Sequence, residues 1–308
     1  MTPFDEPQWV APEAEAVAAA LAGIDVTVDT VRIQLLLRDD RFAVRLPGDR
    51  IAWFPTNALG ELRLSRETRV LGLIHQHCRF LAPQTTYKAP AGWQLRREVP
   101  GNPDPVSIYH RVRADPGFAA IVGRNLGTLL ADQHLSIPQH ELDDWLPAKP
   151  SWPPPAASLA AGLAQATGDQ ALIDSAMALL ARYERTEARV TRRVLTRSDF
   201  GFHNLVIEPD GQIIGAFDYD DAAFADRHHD FKYLLLDAED ETLITAAIEA
   251  YQSAGGAPIN RGYARLLNAA SAVAFLASRG TAAPDEKPAG RTLAEDLAWT
   301  RMALERAG

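Results

Sequence analysis

One cysteine, Cys78, stands in a chain of 308 residues. It rules out an internal disulfide and fits a reducing compartment, so a cytoplasmic location is expected, and it reads as a buried small apolar residue on a helix. No apolar run approaches the roughly 18 residues that would span a bilayer, so no membrane association is expected. The opening stretch MTPFDEPQWVAPEAEA has neither a basic n-region nor an apolar h-region, so no signal peptide is expected. Basic charge is in deficit: 31 Lys and Arg stand against 40 Asp and Glu, a net charge of -9. That balance argues against a nucleic acid as the main partner. No internal repeat is visible. No glycine occurs between residues 27 and 33, so no Gly-rich phosphate loop precedes Arg45.

What is present is a globular composition, 47% hydrophobic and 23% charged. The length allows a substantial core and suits two lobes. The chain is organised around residues 196–230, TRSDFGFHNLVIEPDGQIIGAFDYDDAAFADRHHD. Apolar runs at 205–207 and 213–217 flank the turn Glu208-Pro209-Asp210-Gly211, a strong hairpin signal. Asp199 and Asn204 precede the first strand, and Asp218 follows the second. Closing the hairpin brings two carboxylates and an amide oxygen together. Phosphoryl transfer from ATP uses such a set: one Asp orients the attacking hydroxyl, while an Asn and a second Asp hold magnesium.

The spacing Asp-x-x-x-x-Asn, hairpin, Asp, with the acid-rich tail Asp218-Tyr219-Asp220-Asp221 through Asp226 to Asp230, resembles the aminoglycoside phosphotransferase and choline kinase-like family. The resemblance implies an α+β, two-lobed protein kinase-like fold, with a small antiparallel-sheet N-lobe (1–100) and a mostly helical C-lobe (101–308). It implies ATP and Mg2+ as cofactors and a small-molecule hydroxyl as acceptor. Asp199 is implied as the catalytic base, and Asn204 and Asp218 as metal ligands. Arg45 is implied as the phosphate-contacting cation, and Glu67 as the helix acid that pairs with it. Glu98 and Val99, in a hinge at 98–101, are implied to meet the adenine edge through their backbone. Asp220, Asp221 and Asp226 are candidates for an acidic wall beside the acceptor. The family usually writes His-Gly-Asp where this chain has Arg197-Ser198-Asp199, and the His there is mainly a structural support. His203 reads as a packing or hydrogen-bonding residue, with phosphate contact as the alternative.

The remaining pattern is coarse. Helices are expected at 12–22, 62–76, 118–134, 156–166 and 170–195, then at 231–238, 241–254, 263–278 and 292–307. Strands are expected at 26–37 and 42–46 about a turn at 38–41, with a further strand or loop at 51–54. Residues 147–155, PAKPSWPPP, read as a surface connection. Trp145 and Trp152 are expected mainly to pack, or else to stack on a ring-shaped acceptor.

Two other functions compete. Phe217-Asp218-Tyr219-Asp220 supplies the Asp-x-Asp of a haloacid dehalogenase-like phosphatase, but too little chain follows for a doubly wound core. A catalytically inactive kinase-like module that binds nucleotide or a partner is the alternative, although such a module has no chemical need for Asp199, Asn204 and Asp218 together. The reading is therefore an ATP-dependent phosphotransferase. Its acceptor is an aminoglycoside-like or macrolide-like antibiotic or a metabolite alcohol, with nucleotide preference and oligomeric state left open.

Overall fold

Short apolar runs at 42–44 and 51–54 form strands buried on both faces, the pattern of an inner sheet. The computed structural model describes residues 11–24, 26, 34–37, 40–101, 103–237, 240–281 and 291–308. After α1 (Ala11–Ala22) come β1 (Gln34–Leu37), β2 (Arg41–Leu46) and β3 (Arg50–Pro55). Helix α2 (Ala58–His77) follows, then β4 (Gln84–Lys88) and β5 (Gln94–Arg97). All pairings are antiparallel, in the order β1-β2-β3-β5-β4. Val44, Ala52 and Leu95 share one face, which packs with Phe54 and Trp93 against Val17 and Leu21 of α1. Arg45, Ile51 and Arg96 form one row on the other face. The possible strand at 51–54 is thus real. Residues 27–33 and 38–39 of the expected first hairpin lie outside the described residues.

Helices dominate beyond residue 103. These are α3 (Pro105–Ala114), α4 (Pro116–Ser136), α5 (Ala156–Ala166) and α6 (Gln170–Glu187). Four short strands follow: β6 (Val194–Thr196), β7 (Leu205–Ile207), β8 (Ile213–Ala216) and β9 (Ala223–Ala225). The chain closes with α7 (Lys232–Asp237), α8 (Glu241–Ser253), α9 (Arg261–Ser278) and α10 (Leu293–Ala307). The small antiparallel-sheet lobe and the helical lobe are therefore both present. Helix α9, rich in buried alanines, packs against α5, α6, α7 and α10. Helix α4 packs closely on α8: a Cβ at Gly127 would lie 2.1 Å from the Ala247 carbonyl oxygen. Among the described residues no helix is long and apolar enough to cross a membrane.

Two expectations need correction. The helix expected at 170–195 ends at Glu187, because β-branched residues recur at Val190, Thr191 and Val194, and β6 pairs with β9. Cys78 caps α2 rather than lying within it, and burial pushes its thiol up to about 12.

Candidate active site

The hairpin forms where the turn chemistry places it. Gly211 has φ +90°, a conformation that suits glycine, and its N–H donates to the Glu208 carbonyl at 2.9 Å. Leu205 faces Ala216 across the ladder, and the Phe217 N–H donates to the Asn204 carbonyl at 3.1 Å. Asn204 and the Phe217-Asp218 step therefore lie side by side. On the other flank, Thr196 pairs with Ala223 in the β6–β9 ladder. The loops 197–204 and 217–222 are thus clamped at both ends.

Asp199, Asn204 and Asp218 meet in this clamp. Asn204 Nδ2 donates to the Asp199 carboxylate at 3.0 Å and to its carbonyl at 3.1 Å. His203 Nε2 lies 3.4 Å from the same carboxylate, the hydrogen-bonding role expected of it. Burial alone would raise Asp199, but His203, Arg197 and Lys232 outweigh it and hold the carboxyl at about 2. Asp218 is shifted the other way. It is raised first by burial and then by the like charge of Asp220, with Glu67 and Asp199 adding to the effect. Its backbone sits at φ +65°, strained for a residue with a side chain. Among the described residues no three His, Cys, Asp or Glu side chains gather as a metal cluster.

Asp230 braces the loop from below. It accepts from the Arg197 N–H at 3.0 Å, the Ser198 N–H at 2.6 Å, Gln133 Nε2 at 3.2 Å and His134 Nε2 at 2.8 Å. With Nε2 donating, His134 Nδ1 accepts from the Tyr251 hydroxyl at 3.1 Å. Arg197 is fully buried and donates from Nε to the Asp218 carbonyl at 2.8 Å. It thereby ties the two halves of the site together. Asp230 and Arg197 are thus both structural supports.

The roof of the cleft is the face of the sheet that carries Arg45, Ile51 and Arg96. It encloses a cavity of about 480 Å³ reached by Arg41, Arg45, Glu67, Arg96, Glu98 and Asp218, with Val99 also on its wall. Glu67 does not pair with Arg45. Its carboxylate accepts from Arg96 Nη1 at 2.6 Å, and its other oxygen accepts from the Tyr219 N–H at 3.1 Å. The register explains the difference. Arg45 and Arg96 lie on the same row and face, two strands apart, and β5 carries the arginine that reaches α2. Arg45 is exposed at the mouth, where its charge opposes the burial that raises Glu98.

The three acids expected to form an acceptor wall are each engaged within the protein. Asp220 pairs with Arg41, which also holds Asp40 at 2.8 Å. Asp221 accepts from the Ser151 N–H at 2.9 Å. Asp226 accepts from the His228 N–H at 2.9 Å and caps the short turn Arg227–Asp230. They form no continuous free wall, because each meets a donor on a different element. Trp145 stacks under Arg69 and Trp152 against Phe275, the packing role expected of them. Sequence reading missed Arg41, Arg96 and Lys232. The first two share the cleft face of their strands and are buried there, an arginine among apolar neighbours being a signal that could have marked them.

The model of a family described as the phosphotransferase enzyme family matches residues 20–267. No curated protein matches the chain. Among solved structures, the chain is similar to a wild-type aminoglycoside 2'-phosphotransferase-IIIa in complex with GDP. The TM-score is 0.66 at 17% identity, over 95% of this chain and 96% of that one. It is similar to a macrolide 2'-phosphotransferase from Brachybacterium faecium, with TM-score 0.61 at 17% identity over 96% and 98%. A spectinomycin phosphotransferase in complex with ADP and spectinomycin gives TM-score 0.62 at 14% identity over 95% and 97%. At these identities the likeness is one of fold.

Proposed function

The chain belongs to the phosphotransferase enzyme family, and from that premise we propose that it moves the γ-phosphoryl group of ATP onto a hydroxyl of a small molecule. The observation that carries this reading is that Asn204 bonds the Asp199 carboxylate through its side chain and the step before Asp218 through its backbone, while Asp218 lines a cavity with Arg41, Arg45 and Arg96. The nucleotide would lie between residues 1–100 and 101–308, with the backbone of Glu98 and Val99 at the adenine edge. Arg96, fixed by Glu67, and Arg45 at the mouth supply positive charge for the phosphates.

The donor set fits Mg2+. Asn204 spends its N–H2 on Asp199, which turns its amide oxygen toward other partners. Asp218 lies among carboxylates whose repulsion a divalent cation relieves. A magnesium site usually takes one or two protein oxygens and completes its shell with phosphate and water. When bound, the ion would neutralise charge developing on the phosphates.

In the transfer, Asp199 accepts a hydrogen bond from the acceptor hydroxyl and aims its oxygen at the γ-phosphorus. The new O–P bond forms as the bond to the β–γ bridging oxygen breaks, ADP leaves, and the hydroxyl proton passes to Asp199. The acceptor is proposed to be an aminoglycoside-like or macrolide-like antibiotic, or a metabolite alcohol.

Asp199→Asn tests the assignment. It keeps the shape of the side chain but removes the charged acceptor. Mg–ATP affinity should stay nearly unchanged, while the single-turnover rate falls by about 10²–10⁴-fold. Loss of nucleotide binding with the rate at saturation preserved would make Asp199 a ligand instead. A wild-type chain that binds nucleotide and forms no ADP would favour the inactive-module reading.

A further inference from the structure

Lys232 is fully buried at the start of α7, and the transfer chemistry above does not use it. Burying an ammonium is unfavourable, and methionine would fill a similar volume without that penalty. Its Nζ donates to Ser198 Oγ at 2.9 Å. Its carbonyl accepts from Asn268 Nδ2 at 2.8 Å, which anchors it to α9. Ser198 immediately precedes Asp199 and adopts φ +73°, a region side-chain-bearing residues rarely enter. Two backbone N–H bonds to Asp230 hold that turn from one side, and Lys232 holds it from the other.

We propose that Lys232 is a positioning residue for phosphoryl transfer: bonded to Ser198 Oγ, it fixes the left-handed turn and so the direction in which Asp199 presents its carboxylate. This rests on the role of Asp199 proposed above. The groups around the ammonium agree with it. Asp221, Asp199, Asp230 and Glu187 all favour its charged form, against a burial effect that brings it down to about 8. Lys232 therefore acts on the loop through Ser198 Oγ, without touching nucleotide or acceptor.

The test compares Lys232→Met, Ser198→Ala and the double variant with the wild type. Each single variant should lower kcat by about 10- to 100-fold while Mg–ATP affinity stays within about twofold, since misplaced catalytic groups lose rate rather than binding. The double variant should be no slower than the slower single one, because both break the same link. Unchanged kcat in either single variant, parallel loss of nucleotide affinity, or losses that multiply in the double variant would overturn the proposal.

A second measurement does not depend on activity. The lysines are Lys88, Lys149, Lys232 and Lys287, so selective ¹³C labelling gives a sparse NMR spectrum in which Lys232→Met identifies the Lys232 signal. Lys88→Arg, Lys149→Arg and Lys287→Arg assign the other three signals and so fix that of Lys232 by elimination if Lys232→Met fails to fold. Ser198→Ala should shift the Lys232 signal, and an unmoved signal would overturn the link. A wild-type chain that forms no ADP would overturn the role of Asp199 and the positioning role with it, leaving the NMR shift to decide the contact alone.

Discussion

Asp199 and Asp218 share one cleft but are driven apart in proton affinity. His203, Arg197 and Lys232 hold Asp199 at about 2, and burial with the carboxylates around it pushes Asp218 up. A carboxylate so readily ionised is a weak base. It suits a transfer in which the acceptor keeps its proton until the new bond is well formed, so orientation is its larger contribution. Lys232 gives a pH signature of its own. Its ordinary value is 10.5 and its folded value about 8. Below about 8 it is charged in both folded and unfolded chains, and above 10.5 it is neutral in both. Between these limits the unfolded chain holds a proton that the folded chain has lost, so rising pH favours folding by about 1.4 kcal/mol per pH unit. Unfolding free energies measured from pH 8 to 10.5 should therefore shift in favour of the wild type relative to Lys232→Met. A constant difference across that range would contradict the buried amine.

The two cleft arginines should also part company. Arg96 and Glu67 are both buried, so Arg96→Ala should weaken ATP binding and lower stability by about 3–5 kcal/mol, because it strands Glu67. Arg45 is exposed, and Arg45→Ala should change stability by less than about 1 kcal/mol while weakening nucleotide binding modestly. Thermal melts and nucleotide titrations of the two variants check this. Equal melting points would argue against Arg96 as the fixed cation.

At the scale of elements, close helix packing sets a second check. Alanine ordinarily favours a helix over glycine by about 1 kcal/mol. Gly127→Ala should nonetheless destabilise, by about 1–3 kcal/mol, since its Cβ would collide with the Ala247 carbonyl where α4 crosses α8. A raised melting temperature would show that the crossing relaxes freely. The elements legible in the sequence were those with local signals. The Asp-Gly turn announced the β7–β8 hairpin, and helical periodicity announced most of α4, α5 and α8. Partners across the chain were not legible. Glu67 pairs with Arg96 because of a sheet register that β3 sets between β2 and β5, and no local pattern encodes that choice. Likewise, β6 was hidden at the tail of an expected helix because its pairing partner, β9, lies beyond the hairpin. The acids at 220, 221 and 226 were visible as charges, but their donors, on β2, in the 147–155 connection and in the turn beginning at Arg227, were not.

Across the whole molecule, three arginines of the sheet lobe and Asp218 of the helical lobe line one cavity. The pair between Arg41 and Asp220 joins the lobes directly. The bond from the Tyr219 N–H to Glu67 couples the position of α2 to the loop that carries Asp218. Nucleotide phosphates would meet arginines above and the Asp199 loop below, which is the arrangement needed to pass a phosphoryl group to a hydroxyl held beside Asp199. The phosphoryl group is proposed to reach a small molecule. The most direct test incubates the chain with Mg2+, γ-labelled ATP and a panel of aminoglycosides, macrolides, amino alcohols and sugars, and follows the label by mass spectrometry. The expected result is one acceptor class gaining one labelled phosphoryl group for each ADP formed, with Asp199→Asn abolishing most of the gain. ATP bound by the wild-type chain but left intact in the presence of every acceptor would contradict it.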